Sequence, residues 1–322
     1  MCPRKISAFF YMLISIFYSA IMFASHYRFS HFAVVILILI PTTATVIETI
    51  VFSKEDWTQD CTPTTERSFE HFYSVIGGAF ITYSLAYIGF SPLMASAITG
   101  LLGAKFLKKD AVAVFTGTFV GMSSIHVFGF SDLLMAAIIS GLLYVYGKEA
   151  FQGIGGKLGT TAFLGVTFTA LVSNLESFHF IGAGIDITHM VYTPFMLIPT
   201  VLSGAFGALA TDYLSRRLHH NTVIASSLIA LLSEWILILI LPNYAALLSL
   251  SIYCGTFVGM GSKTHLPTWH YYAFAGGLSG FLFFQSLPIF IGFGGKLGIS
   301  AFVATLTVKF LLTSFKLKPI DL

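Results

Sequence analysis

The strongest constraint on this chain is a series of long, almost uncharged apolar runs, of which Phe32 to Val51 and Thr222 to Leu241 are the clearest. A helix that crosses the hydrocarbon core of a bilayer needs about 20 such residues. Of the 322 residues 56% are apolar and only 10% charged, whereas a water-soluble domain carries about a quarter charged residues. So few charges cannot cover a chain of this size in water. The runs lack the alternation over about ten residues that marks a transmembrane barrel, and their length sets aside a soluble helical fold.

Breaking the chain at charges, glycines and prolines predicts an all-α integral membrane protein of about twelve transmembrane helices. They fall at 7–24, 32–52, 71–89, 92–107, 111–125, 131–147, 157–173, 190–211, 222–241, 244–261, 270–287 and 297–314. The first follows Arg4 and Lys5 and exceeds the apolar core of a signal peptide, about 7 to 15 residues, so it reads as a retained helix. Basic residues fall in alternate connections: Lys54 with Arg67, Lys105 with Lys108 and Lys109, Lys148, Arg216 with Arg217, Lys263, and Lys316 with Lys318. The other connections are nearly bare, Arg28 being the clear exception. Lysine and arginine are retained on the cytoplasmic side, so both termini are expected in the cytoplasm, at a plasma or bacterial inner membrane. The polar stretch Ser53 to Glu70 then becomes a cytoplasmic connector.

The net charge of +3 comes from these connections, and no basic face with interleaved aromatics points to nucleic acid. Cys2, Cys61 and Cys254 stand at no metal or disulfide spacing. Neither a metal nor a cofactor is expected. His-Glu-x-x-His and Gly-x-Ser-x-Gly are both absent from the sequence, and no other catalytic motif points to an enzyme.

The chain is also internally duplicated. Gly117-Thr-Phe-Val-Gly-Met122 recurs as Gly255-Thr-Phe-Val-Gly-Met260, and Gly155-Gly-Lys-Leu-Gly159 recurs as Gly294-Gly-Lys-Leu-Gly298, at offsets of 138 and 139 residues. Weaker matches upstream pair Gly78-Ala-Phe80 with Gly204-Ala-Phe206 and Ala95 with Ala225, at offsets of 126 and 130. The division that follows is 1–70, two N-terminal helices and the connector; 71–173, a first copy; and 190–314, a second. Five spans in each copy force the second into the membrane from the opposite side, an inverted repeat of the kind that places a transport site near the midplane; a re-entrant segment from Ala111 to Ser124 in both copies would instead make them parallel, against which the alternation of basic connections argues. The first two spans lie outside the duplication and are free to flank it or to mediate homo-oligomerisation.

The residues expected to carry function follow from the duplication. Gly155, Gly156, Lys157 and Gly159, with Gly294, Gly295, Lys296 and Gly298, read as interruptions just before the last helix of each copy. Irregular backbone at that depth is tolerated only when it is buried in protein or lines a cavity. A helix beginning at either lysine offers unpaired N–H groups and a positive dipole end to an anion. The rival reading is close helix packing by the glycines, with the lysines snorkelling to head groups. For Gly117, Gly121, Gly255 and Gly259, four residues apart in each pair, packing is the expected role.

His126 and His265, paired by the repeat, are candidates for gating or proton movement. Glu234, deep in an apolar run where its repeat partner is Ala104, is a candidate coupling carboxylate, because an ionised group there needs a partner or water. Asp212 and Glu48 read as interfacial charges. The expected function is a transporter or channel in the lipid bilayer for a small solute or ion, anionic or carboxylate-bearing, with its site between the copies. The alternatives are a membrane scaffold or complex subunit without transport, and a proton- or cation-coupled carrier centred on Glu234.

Overall fold

The computed structural model describes residues 3–28, 39–48, 50–51, 69–173, 194–218 and 221–315. Each of the twelve predicted runs coincides at least in part with a helix, and no strand occurs among the described residues. The helices are α1 (Pro3–Arg28), α2 (39–48), α3 (Glu70–Tyr87), α4 (Pro92–Phe106), α5 (Ala111–Gly121) and α6 (Phe130–Gly147). They continue as α7 (Lys157–Val172), α8 (Leu197–Arg217), α9 (Thr222–Ile240), α10 (Ala245–Gly259), α11 (Trp269–Gln285) and α12 (Lys296–Ser314). Most of the connector, Cys2, Cys61, Lys316 and Lys318 lie outside the described residues.

Helix starts are written into the sequence. Ser91 caps α4, its hydroxyl accepting from the Met94 N–H at 3.0 Å with Pro92 at the first helical position, where a proline loses no intrahelical bond. Asn221, 130 residues later, caps α9 in the same way, accepting from the Ile224 N–H at 3.1 Å. The run predicted at 190–211 is displaced. Its helix starts at Leu197 after a turn at Pro194–Met196 and continues to Arg217, because Pro199 fits only a first turn.

Five helices, α1, α6, α8, α9 and α12, are long and apolar enough to cross a membrane, and the fold is compatible with a helical membrane protein. On α9 one face is small and buried (Ala225, Ser226, Ala230), while Leu232, Trp235 and Leu239 point outward, Leu239 82% exposed. An outward face of that kind suits lipid and not water. By contrast, the 11 residues of α5 rise about 16 Å, roughly half the hydrocarbon thickness. The run predicted at 111–125 is therefore not one continuous crossing helix. It stops at Gly121 and the chain turns before α6.

Close packing follows the repeated glycines. A methyl group on Gly117 or Gly121 would run into the α3 backbone at Val75 and Ala79, and one on Gly255 or Gly259 into the α8 backbone at Gly204 and Ala208. Two helix pairs, α3 with α5 and α8 with α10, thus meet backbone to backbone. Glu48, read from sequence as interfacial, is instead buried and ion-paired to Lys309 of α12 at 2.5 Å, which docks α2 on the second copy. Asp212 pairs with Arg216 one turn along α8.

Candidate functional site

The two glycine-lysine segments come together. Gly156 and Gly295, the N-caps of α7 and α12, have φ of +83° and +82°, a left-handed conformation that glycine adopts without a Cβ penalty. The helices then touch at their first turns. A methyl group built on Gly159 would lie 2.6 Å from Cα of Gly298, and one on Gly298 would strike Cα of Gly159. The positive ends of α7 and α12 therefore lie side by side.

Their lysines, however, turn back. Lys157 Nζ donates to the carbonyl of Lys148 at 2.8 Å, and Lys296 Nζ to those of Ser286 and Ile289 at 3.2 and 3.1 Å. Lys148 and Ser286 are the C-caps of α6 and α11. Each ammonium group thus neutralises the negative end of the preceding helix.

Between these ends the chain folds into two tight loops with the same backbone. Phe151 and Phe290 have φ of +52° and +49°, and Gly153 and Gly292 +76° and +77°. A non-glycine residue held there costs of order 1–2 kcal/mol, here offset by complete burial of both rings. The loops clasp the opposite copy reciprocally: Ser124 N–H donates to the Gly292 carbonyl, and Ser262 N–H to the Gly153 carbonyl, both at 2.8 Å.

Helix α1 joins this arrangement from outside the duplication. Tyr11 hydrogen-bonds Thr161 at 2.5 Å and packs on Phe151 and Phe302, with ring centroids 5.7 and 6.0 Å away. Tyr18 hydrogen-bonds Ser300 at 2.8 Å and packs on Phe290 and Phe163 at 5.9 and 6.1 Å. In the repeat alignment Thr161 pairs with Ser300, Phe151 with Phe290 and Phe163 with Phe302. Two tyrosines of one helix therefore occupy corresponding sockets, with the copies exchanged.

Two cavities flank the crossing. The wider, about 330 Å³, is bounded by Ser91, Met122, Glu234, Leu287, Phe293 and Lys296. The narrower, about 230 Å³, is bounded by Lys148, Gln152, Gly156, Lys157, Thr222 and Met260. These linings correspond: Met122 pairs with Met260, Leu287 with Lys148 and Lys296 with Lys157. Phe119 and Phe257 line both cavities. Their rings stand edge to face at 4.8 Å, backed by Phe115 at 4.7 Å from Phe119 and Tyr253 at 4.6 Å from Phe257. Beside the narrower cavity a further space of about 330 Å³ is bordered by His71, Lys109, Tyr144 and Lys148, with His71 held by Asp110 at 2.5 Å.

Glu234 is 5% exposed, with the Ser91 hydroxyl beside it, and its Oε2 meets no hydrogen-bond partner. It faces the wider cavity. The histidines lie elsewhere: His265 Nε2 meets the Gln152 carbonyl at 2.9 Å, His126 is exposed, and neither borders the two cavities. Phe119 and Phe257 lie inside the repeated Gly-Thr-Phe-Val-Gly-Met motif, whose spacing marks only its glycines. Tyr11 and Tyr18 carry no signal in the sequence, because they lie outside the duplicated residues and a single helix serves both copies.

Fold and site define a chain that is helical throughout its described elements, with membrane-length helices and two corresponding cavities on either side of an aromatic pair. Comparison with protein-family models, curated proteins and solved structures gives no match.

Proposed function

We propose that this protein is a membrane transporter or channel whose small, anionic or carboxylate-bearing solute passes between the two cavities by way of Phe119 and Phe257. The observation that carries the reading is the pair of cavities sharing those two rings as a common wall. A path closed only at its centre by apolar side chains is how hydrophobic constrictions gate. The convergent N-termini of α7 and α12 favour an anionic group at that centre.

In this reading residues 71–173 and 190–314 are inverted copies related by a two-fold axis in the membrane plane. The tyrosines of α1 support that direction. Seven residues place Tyr11 and Tyr18 about 10.5 Å apart on one face of the helix, and a two-fold axis that exchanges two points is perpendicular to the line between them. With α1 crossing the membrane, the axis lies in its plane. The clasps agree, since each joins two connections assigned to one side: 122–129 with 286–295 outside, 260–268 with 148–156 inside. The wider cavity then opens outward and the narrower inward, α5 and α10 end as interrupted helices near the centre, and both termini are cytoplasmic.

The test is flux. Purified protein in lipid vesicles, challenged with a panel of small anions and carboxylates, should carry at least one of them, and Phe119→Ala with Phe257→Ala should raise its passive leak at least tenfold. Folded protein that conducts nothing before and after both substitutions would leave the scaffold reading in place.

A further inference from the structure

We infer that the wider cavity binds a zwitterionic solute, its carboxylate at the Gly295–Lys296 helix end and its ammonium group on Glu234. This rests on the transport reading above and narrows the solute class. Three observations converge in the one cavity.

The first is Glu234 Oε2, buried and without a partner, in a side chain that borders the cavity. A buried carboxylate oxygen left without a donor costs free energy of order several kcal/mol. Ser91 cannot supply two donors, because its single hydroxyl proton serves one acceptor while its oxygen already accepts from Met94 at 3.0 Å. A ligand carrying N–H donors satisfies the second oxygen.

The second is the opposite pole of the same cavity. Gly295 opens α12 with no side-chain cap, and Lys296 directs two hydrogen bonds to the Ser286 and Ile289 carbonyls. An ammonium group has three protons, so one remains for a carboxylate beside the first-turn N–H groups.

The third is the wall between the poles. Phe119, Phe257, Phe283 and Phe293 surround the cavity; aromatic faces attract an ammonium group and tolerate a short methylene chain. A purely anionic solute leaves Glu234 repelling it, and a purely cationic one meets Lys296. Only a molecule with both ends satisfies both poles. A volume of about 330 Å³ is at the lower end for ligand pockets, which suits a short amino acid.

Binding to the full chain in detergent decides the matter, using glycine, β-alanine and 4-aminobutyrate against alkanoates and alkylamines of matched carbon number. The expected result is that one amino acid binds at least tenfold more tightly than both one-ended matches. Glu234→Gln, close in shape, should abolish that preference by weakening amino-acid binding and, with the repelling charge gone, strengthening alkanoate binding. Equal binding of the matched alkanoate, equal binding of the matched alkylamine, or no binding of the whole panel by folded protein each overturns the inference. The ranking is read on the unaltered chain, so it survives a variant that fails to fold. Should the Phe119 and Phe257 substitutions open an anion leak while no amino acid is preferred, the path stands and the zwitterion falls; should no leak open, the path itself falls.

Discussion

The two cavities are built on the same backbone and furnished differently. Around each, the loop torsions agree within a few degrees, φ of +83° against +82° at the N-caps and +52° against +49° at the phenylalanines, and the clasping hydrogen bonds have the same length. Their side chains have drifted apart. Lys148 and Gln152 stand where the wider cavity has Leu287 and Ile291, and Glu234 stands where the first copy has Ala104. Backbone crossings leave no room to vary, because any Cβ collides, whereas a cavity wall accepts any side chain that keeps its outline. Geometry is thus held in common and charge is where the halves diverge, so substitutions at shared positions should act equally in both copies and those at diverged positions should not.

The largest effect is expected at the crossing. Gly159→Val and Gly298→Val should each destabilise the protein by about 3 kcal/mol through overpacking, and by similar amounts, read as thermal unfolding in detergent. A marked inequality breaks the comparison. Of the same order are the shared rings: Phe119→Ala and Phe257→Ala, each next to space that is already open, should cost about 3 kcal/mol of stability, the low end for a buried phenylalanine, and raise leak alike, since each borders both cavities. Replacing Lys157 or Lys296 by Met removes a charged donor from a helix end, a loss of about 2 kcal/mol. Flux should fall in each, and further in the double variant, while both proteins still fold. The lysines are shared but their surroundings are not, so stability should fall alike in the two variants while flux should fall further at 296, where an alkyl chain leaves Glu234 without an opposing pole. The smallest effects are expected on α1, where Tyr11→Phe and Tyr18→Phe each delete one buried hydrogen bond, about 1 kcal/mol, with equal shifts in unfolding temperature sharpening the equivalence of the two sockets.

Much of this was legible in the sequence where periodicity and repetition speak directly. Twelve helices were foreseen because apolar runs are punctuated by glycine, proline and charge, and the caps at Ser91 and Asn221 mark two of their starts. The meeting of Gly159 with Gly298 was foreseeable in kind, since glycine-interrupted segments in paired positions have few reasons to exist apart from close approach. The destination of the lysines was not, because a side chain that folds back onto the preceding helix end leaves no trace in spacing. Nor was the role of Phe119 and Phe257, whose rings are two among 33 phenylalanines and differ from the rest only in what lies on either side. Helix length differs from the expectation at α5, where the apolar run continues past Gly121 although the helix ends there, the Met122 N–H making its closing bond to the Thr118 carbonyl.

Helix α1 carries a consequence of its own. Its two tyrosines sit in sockets of corresponding residues, but the rest of its face is not matched: Ser7 lies close against Gly147, and an end-for-end turn that exchanged the tyrosines would bring Met22 to that place. The tyrosines alone therefore leave the direction of this helix open, and the Ser7 contact does not. In the proposed membrane setting the choice between its two directions rests on that contact together with Arg4 and Lys5, which favour the cytoplasmic side. Exchanging those two basic residues for neutral ones while adding a pair beyond Arg28 should make that choice reversible, and a tag at the N-terminus would report on which side of the bilayer the helix begins.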